Sequence, residues 1–240
     1  MQRYTPRDIV VLALIAALFV WSFARSSNMT AEQFAFLVVA LVCAITVHEF
    51  AHATVALSLG DTTAKQLGRV SLNPIRHLDL FGSLAFFFFH FGWGKPVPIN
   101  PYNMKGVSPL AGAAISALAG PASNVVLAFL ATIPFRLANP SRGLIDPSVD
   151  PYLVELLRSL LLVNVGLAAF NFLPIPPLDG FSLARLVLPR NVSAILEQYG
   201  MFILIGLVFI PQFLGRQFDF LTIVMRPLQA LIQEIVFAGM

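Results

Sequence analysis

The chain has 240 residues, of which 58% are hydrophobic and only 11% are charged, whereas charged residues make up about a quarter of an average soluble domain. This composition excludes an ordinary soluble protein and predicts an all-α polytopic membrane protein. The net charge of +3 is not concentrated in a basic run or stripe, so we expect no nucleic-acid partner. The single cysteine, Cys43, excludes an internal disulfide and a cysteine-based zinc cluster.

About six apolar stretches are candidates for membrane-spanning helices. They lie at about 8–25, 34–59, 108–137, 152–173, 198–214 and 218–238. The first stretch lacks a small-x-small cleavage site, so we interpret it as a retained helix rather than a signal peptide. No appended soluble module fits in this length, and we expect one membrane domain over residues 1–240.

A Phe-rich segment bounded by Gly and Pro separates the second and third spans. Its apolar centre, Leu84 to Phe91, is too short to cross the bilayer and favours a short membrane-associated β-hairpin. The sequence "GKPVPIN" at residues 94–100, here named the edge segment, completes the hairpin. Its prolines exclude a helix, while Val97 and Ile99 suit an edge strand.

The distribution of Lys and Arg indicates the orientation in the membrane. With the N-terminus in the cytoplasm, the inner side collects Arg3, Arg7, Lys65, Arg69, Arg76, Lys95, Lys105, Arg185 and Arg190, and the outer side only Arg25, Arg136, Arg142 and Arg216. Positive residues favour the cytoplasmic side. We therefore expect a multi-pass protein of the plasma membrane, with the loop between the second and third spans in the cytoplasm.

The sequence "HEFAH" at residues 48–52 lies in the second span, where no other charged residue occurs between positions 34 and 60. A charged residue at the bilayer centre costs roughly 2.5–3.5 kcal/mol on insertion scales, so Glu49 needs a compensating role. On a helix, His48 and His52 share one face and can reach one cation while Glu49 stands beside it. The alternative is a polar contact between helices.

Two histidines leave a hydrolytic zinc site short of a third protein ligand, which is often a carboxylate. Asp179 is the best candidate, because the prolines of "NFLPIPPLDG" at residues 171–180 end the fourth span and the Asp-Gly turn can direct a carboxylate back into the protein. The same residues are also compatible with an ordinary turn that exposes a solvated aspartate.

Four motifs together resemble the site-2 protease family of intramembrane zinc metalloproteases: "HEFAH", "KPVPINPYN" at 95–103, "AGPASN" at 119–124 and "NFLPIPPLDG". The resemblance covers residues 34–190 and is closest to the compact prokaryotic branch without PDZ or CBS domains. It implies one Zn²⁺ per chain bound by His48, His52 and Asp179. It further implies Glu49 as the catalytic base and Asn171 near the reaction centre.

The resemblance also implies an activity, the hydrolysis of peptide bonds within or near the transmembrane segments of single-pass membrane proteins. Two other classes of function use the same residues. A metal-ion transporter could use the His/Asp cluster as a transit site, although Glu49 has no evident purpose there and no matching broken helices appear. A catalytically silent membrane scaffold would not need a complete set of ligands and base. The oligomeric state stays open.

The remaining polar residues of the apolar segments have simpler interpretations. Asn124 and Asn164 either orient substrate or form hydrogen bonds between helices. Interfacial or hydrogen-bonded positions are expected for His77 and His90, and an i,i+3 helix pair for Glu155 and Arg158.

Overall fold

The computed structural model describes residues 29–79, 82, 94–138, 150–214 and 219–238. In these residues the secondary structure is helical. The α-helices are α1 (Ala31–Ser58), α2 (Thr63–Gln66), α3 (Pro109–Ala138), α4 (Pro151–Asn171), α5 (Asp179–Ala184), α6 (Arg190–Leu214) and α7 (Phe220–Phe237). Two short 3₁₀ turns, Pro74–Arg76 and Pro101–Asn103, precede α3.

Five helices within the described ranges are long and apolar enough to cross a membrane, namely α1, α3, α4, α6 and α7. They confirm five of the predicted spans and a multi-pass membrane protein. The predicted first span, 8–25, lies outside the described residues. The predicted β-hairpin is not confirmed: the described residues contain no strand, only an isolated antiparallel bridge between Leu78 and Gly94, and Leu84 to Phe91 lie outside them.

Local sequence signals determine where the central helices begin and end. A capping box starts α1, in which the Thr30 hydroxyl accepts from the Gln33 amide at 3.2 Å and the Gln33 side chain accepts from the Thr30 amide at 3.1 Å. This pairing satisfies backbone donors that have no partner inside the helix. In α4, the Asp150 side chain caps the first turn, and the prolines from position 174 onward prevent the helix from continuing.

Helices α1, α3 and α4 pack against one another, and α5 packs on α3. The α1 face toward its neighbours is rich in small residues, since Ala40, Ala44, Ala53 and Ala56 are fully buried. Small side chains let helix backbones approach closely in a membrane. Helix α7 joins the bundle through an apolar cluster formed with α3 and α4 and consisting of Ala128, Val165, Ala168, Ala169, Ile232 and Val236. Most buried polar side chains of the described helices, among them His48, His52, Asn124 and Asn164, lie on α1, α3 and α4.

Candidate metal centre

The two histidines of "HEFAH" lie one turn apart on the buried face of α1, where their residues are 6% and 7% exposed. Their Nε2 atoms are 3.0 Å apart. Asp179 Oδ2 lies 3.1 Å from His48 Nε2 and 3.2 Å from His52 Nε2. The structure thus brings together the three residues that the sequence selects as metal ligands.

Asp179 reaches this position because α4 stops and the chain turns back. Asp179 is the first residue of α5, and the next residue, Gly180, lies so close to the Phe172 and Leu173 backbone that a Cβ atom would collide with it. Burial by itself would raise the pKa of Asp179, but the neighbouring imidazoles of His48 and His52 outweigh burial and lower it. The carboxylate is therefore ionised at neutral pH, the form that binds metals.

The outer nitrogen of each imidazole has an acceptor that fixes its tautomer. His52 Nδ1 donates to the backbone oxygen of Ser116 at 2.7 Å. His48 Nδ1 donates to Asn124 Oδ1 at 2.7 Å, and the amide of Asn124 donates in turn to Asn164 Oδ1 at 2.8 Å and to Ala44 O at 3.2 Å. A backbone oxygen can only accept, and the Asn124 amide nitrogen is already committed, so both histidines carry their proton on Nδ1.

Hydrogen bonds at Nδ1 leave both Nε2 atoms with a lone pair that points toward the Asp179 carboxylate. Three lone-pair donors within 3.0–3.2 Å of one another repel unless a cation lies between them. A zinc ion at about 2.0–2.1 Å from tetrahedral ligands sets those ligands roughly 3.3 Å apart. Asp179 Oδ2 is also a buried atom without a hydrogen-bond donor. The residues present therefore fit a zinc ion.

Helix α3 closes the other side of the cluster at a position that only glycine can occupy. A Cβ atom on Gly120 would lie 2.6 Å from Cε1 of His48 and 2.5 Å from Cε1 of His52. Real Cβ contacts are essentially never shorter than 3.0 Å. The glycine of "AGPASN" thus permits α3 to lie directly against both imidazoles.

Comparison with curated proteins identifies the family. The chain is 37% identical over 179 residues to the Bacillus subtilis (strain 168) protein named "Putative zinc metalloprotease YwhC", and the match covers 73% of this chain and 81% of that protein. The chain belongs to the site-2 protease family of zinc metalloproteases. The protease is also 28% identical over 229 residues to "Putative zinc metalloprotease Rip2" of Mycolicibacterium smegmatis (strain ATCC 700084 / mc(2)155), covering 87% and 82% of the two chains. No family model and no solved structure matches it.

The carboxylate of Glu49 is bound by the edge segment. Its Oε2 accepts from the backbone amide of Val97 at 3.0 Å, and a Cβ atom on Gly94 would lie 3.5 Å from Oε1. In the protease, Glu49 thus follows His48 in the sequence, but its carboxylate is hydrogen-bonded to the edge segment. Asn171, the other predicted catalytic residue, is half-buried and donates to the Leu167 backbone oxygen at 3.0 Å; its role stays a prediction.

The other polar residues of the protease follow their simpler interpretations where the structure describes them. Asn124 and Asn164 do bond between helices. His77 is fully buried and its Nε2 donates to Ser71 O at 2.6 Å, whereas His90 lies outside the described residues. Glu155 and Arg158 form an ion pair at 3.9 Å.

Sequence reasoning missed how the edge segment is fixed beside the metal centre. The carbonyl oxygens of Lys95 and Pro96 accept from the Arg69 guanidinium. Farther along, the Asn100 amide donates to Asp61 Oδ2 at 2.7 Å. In the sequence, Arg69 is one of several positive residues that indicate topology, and no motif distinguishes Asp61. Their burial, 7% and 0% exposed, is the property that distinguishes them.

Proposed function

We propose that this zinc metalloprotease is an endopeptidase that hydrolyses peptide bonds within or near the transmembrane segments of single-pass membrane proteins. One observation carries the proposal: His48 and His52, on the buried face of a helix that is long and apolar enough to span a membrane, form a complete donor set with Asp179 of α5. A carboxylate that is not a ligand, Glu49, follows the first histidine. A site of this composition inside a bilayer is suited to hydrolysis where ordinary proteases have no access.

His48, His52 and Asp179 would hold the zinc ion, and Asn124 and Ser116 O keep both imidazoles in the tautomer that can bind it. When bound, zinc supplies a Lewis acid and lowers the pKa of water toward about 7. Glu49 takes a proton from the attacking water as the new C–O bond forms at the scissile carbonyl. The same carboxyl group then gives that proton to the amine nitrogen as the C–N bond breaks.

Hydrolysis at this depth requires water and an extended substrate. The Lys and Arg distribution supports a cytoplasmic entrance in the plasma membrane, with the N-terminus on the same side. A substrate helix has to unwind locally, because its carbonyl groups are otherwise hydrogen-bonded within the helix. Unwinding leaves backbone groups in need of partners, which an edge of extended chain can provide.

The edge segment is our candidate for that partner. Val97 N–H is already bound to Glu49 and Lys95 N–H to His77 O at 2.7 Å. In the described part of the chain, the amide and carbonyl of Ile99 and the carbonyl of Val97 have no hydrogen-bond partner. These groups are available to an extended substrate by strand addition.

The proposed activity is tested with the purified protein in detergent and a panel of single-pass membrane proteins, with cleavage sites mapped by mass spectrometry. We expect cleavage within or next to a transmembrane segment, loss of cleavage when a chelator removes zinc, and its return when zinc is added. A soluble, unstructured polypeptide serves as the control substrate. Cleavage that survives complete zinc removal, or that occurs only in the soluble polypeptide, would contradict the proposal.

Substrate contact with the edge segment is tested by a photo-crosslinker placed at Ile99, with the same crosslinker at Phe202 as control. Phe202 is 71% exposed on α6 and far along the chain from the site. We expect single-pass substrate to be captured from Ile99 and not from Phe202. Capture confined to α6 and α7 would show that the edge segment does not hold substrate.

A further inference from the structure

The edge segment is fixed to the body of the protease by an arginine that the proposed chemistry does not use. Arg69 follows the short helix α2 and is 7% exposed. Its Nη1 donates to Arg76 O, and its Nη2 donates to Lys95 O and, at 3.2 Å, to Pro96 O. One guanidinium therefore joins the loop after α2 to the edge segment.

The next peptide group along the edge segment binds Glu49. Pro96 O accepts from Arg69, and the following amide, Val97 N–H, donates to Glu49 Oε2 at 3.0 Å. Because Nη2 of Arg69 donates to the carbonyls of both Lys95 and Pro96, it constrains the position and the tilt of the peptide plane that carries the Val97 amide.

A glycine lets this segment lie against α1. A Cβ atom on Gly94 would be 2.8 Å from Cγ2 of Ile45 and 3.2 Å from His77 O. His77 O in turn accepts from Lys95 N at 2.7 Å. The approach of the edge segment to the helix face that bears Glu49 is thus as close as the backbone allows.

We propose that Arg69 is a positioning residue for Glu49: it holds the carbonyl groups of Lys95 and Pro96 so that the Val97 amide orients the Glu49 carboxylate. The inference rests on the proposed role of Glu49 as the base. Arg69 contacts neither the metal ligands nor the reacting atoms. It acts through one peptide group, and its removal leaves the ligand set intact.

The test compares the variants Arg69→Gln and Arg69→Lys. Arg158→Gln is the control for the loss of an arginine charge, because the Arg158 side chain is 63% exposed on α4. Arg69→Gln should keep about one zinc per chain and lower kcat by about 10- to 100-fold, since a misplacement near 1 Å costs on this order. The change in KM should be less than about threefold, smaller than the change in kcat. Arg69→Lys keeps a donor but not the fork, and should recover part of kcat.

A readout independent of activity is amide hydrogen exchange in the edge segment. Its prolines have no N–H group, so few amides other than that of Val97 contribute to the signal. Exchange at Val97 should be faster in Arg69→Gln than in the native protein and unchanged in Arg158→Gln. If Arg69→Gln does not fold, Gly94→Ala displaces the same segment from α1 by about 0.6 Å, the difference between 2.8 Å and an ordinary 3.4 Å contact. It should then lower kcat with zinc retained, while Gly166→Ala, whose Cβ meets no atom within 4 Å, should not.

Different results overturn the two proposals. If Glu49→Gln is inactive but Arg69→Gln and Gly94→Ala cleave at the native rate, the base is correctly assigned and Arg69 does not position it. A loss confined to KM, or unchanged exchange at Val97, also overturns the role of Arg69. If Glu49→Gln itself cleaves at the native rate, the proposed function fails and the inference fails with it.

Discussion

The contact between Gly120 and the two imidazoles makes Gly120→Ala the most exacting test of the metal centre. The added methyl group would start 2.6 Å from Cε1 of His48, whereas an ordinary Cβ contact begins at 3.4 Å. Helix α3 or the imidazole therefore has to move by about 0.8 Å. Metal–ligand distances tolerate only about ±0.2 Å, so the displacement is several times larger than the site can absorb.

We expect Gly120→Ala to weaken zinc binding by about 10- to 100-fold, the effect of disturbing the groups that orient metal ligands, and to cost about 1–3 kcal/mol of stability through overpacking. Zinc content is measured by elemental analysis after dialysis against a graded series of chelator concentrations. Gly166→Ala is the matched control, because its Cβ meets no atom within 4 Å. Native zinc affinity in a folded Gly120→Ala protein would refute the placement of α3 against the histidines.

Three further predictions concern the support of the site and its orientation. Asn124→Leu should lower zinc affinity by about 10- to 100-fold, because His48 Nδ1 loses its acceptor; a native affinity measured by chelator competition would contradict this. Burial would raise the pKa of Asp61, but hydrogen bonds, including one from the Asn100 amide, outweigh it and lower the pKa below the ordinary 3.8. Asp61 therefore stabilises the fold above about pH 3.8, and this contribution disappears as the pH falls through the lower folded-state pKa. The Tm difference between native protein and Asp61→Asn should be present at pH 7 and shrink below pH 4. A Tm difference independent of pH would contradict the assignment. A cysteine at Lys65, with the natural Cys43 replaced, should react with an impermeant thiol reagent only after cell lysis, and labelling of intact cells would reverse the orientation.

The grouping of the three candidate ligands was predictable because each position depends on a local rule. Helical periodicity puts His48 and His52 on one face, and the prolines after residue 173 end α4 so that Asp179 can turn back. The five described spans follow from apolar length alone. In each case the determining signal lies within about 30 residues of sequence.

The supporting contacts were not predictable, because they depend on helix rotation and on the path of a loop. Asn124 and Asn164 could be expected to form hydrogen bonds between helices, but nothing in the sequence shows that these hydrogen bonds lead to His48. The contact of Val97 with Glu49 joins positions 48 residues apart through a turn of the chain that no local pattern describes. In the sequence, Arg69 is only one of the positive residues that indicate membrane orientation, whereas in the structure it is buried against two carbonyl groups.

The central claim is that His48, His52 and Asp179 hold zinc while Glu49 moves the proton. The most direct measurement determines zinc content and cleavage rate together for folded, detergent-solubilised Glu49→Gln, with Glu155→Gln as the control for the same substitution in an ion pair on α4. Glu49→Gln should retain about one zinc per chain while hydrolysis falls by about 10²–10⁴-fold or more, and Glu155→Gln should retain both. A metal transporter would still move metal after this change. Cleavage of membrane substrates by Glu49→Gln at the native rate would contradict the claim.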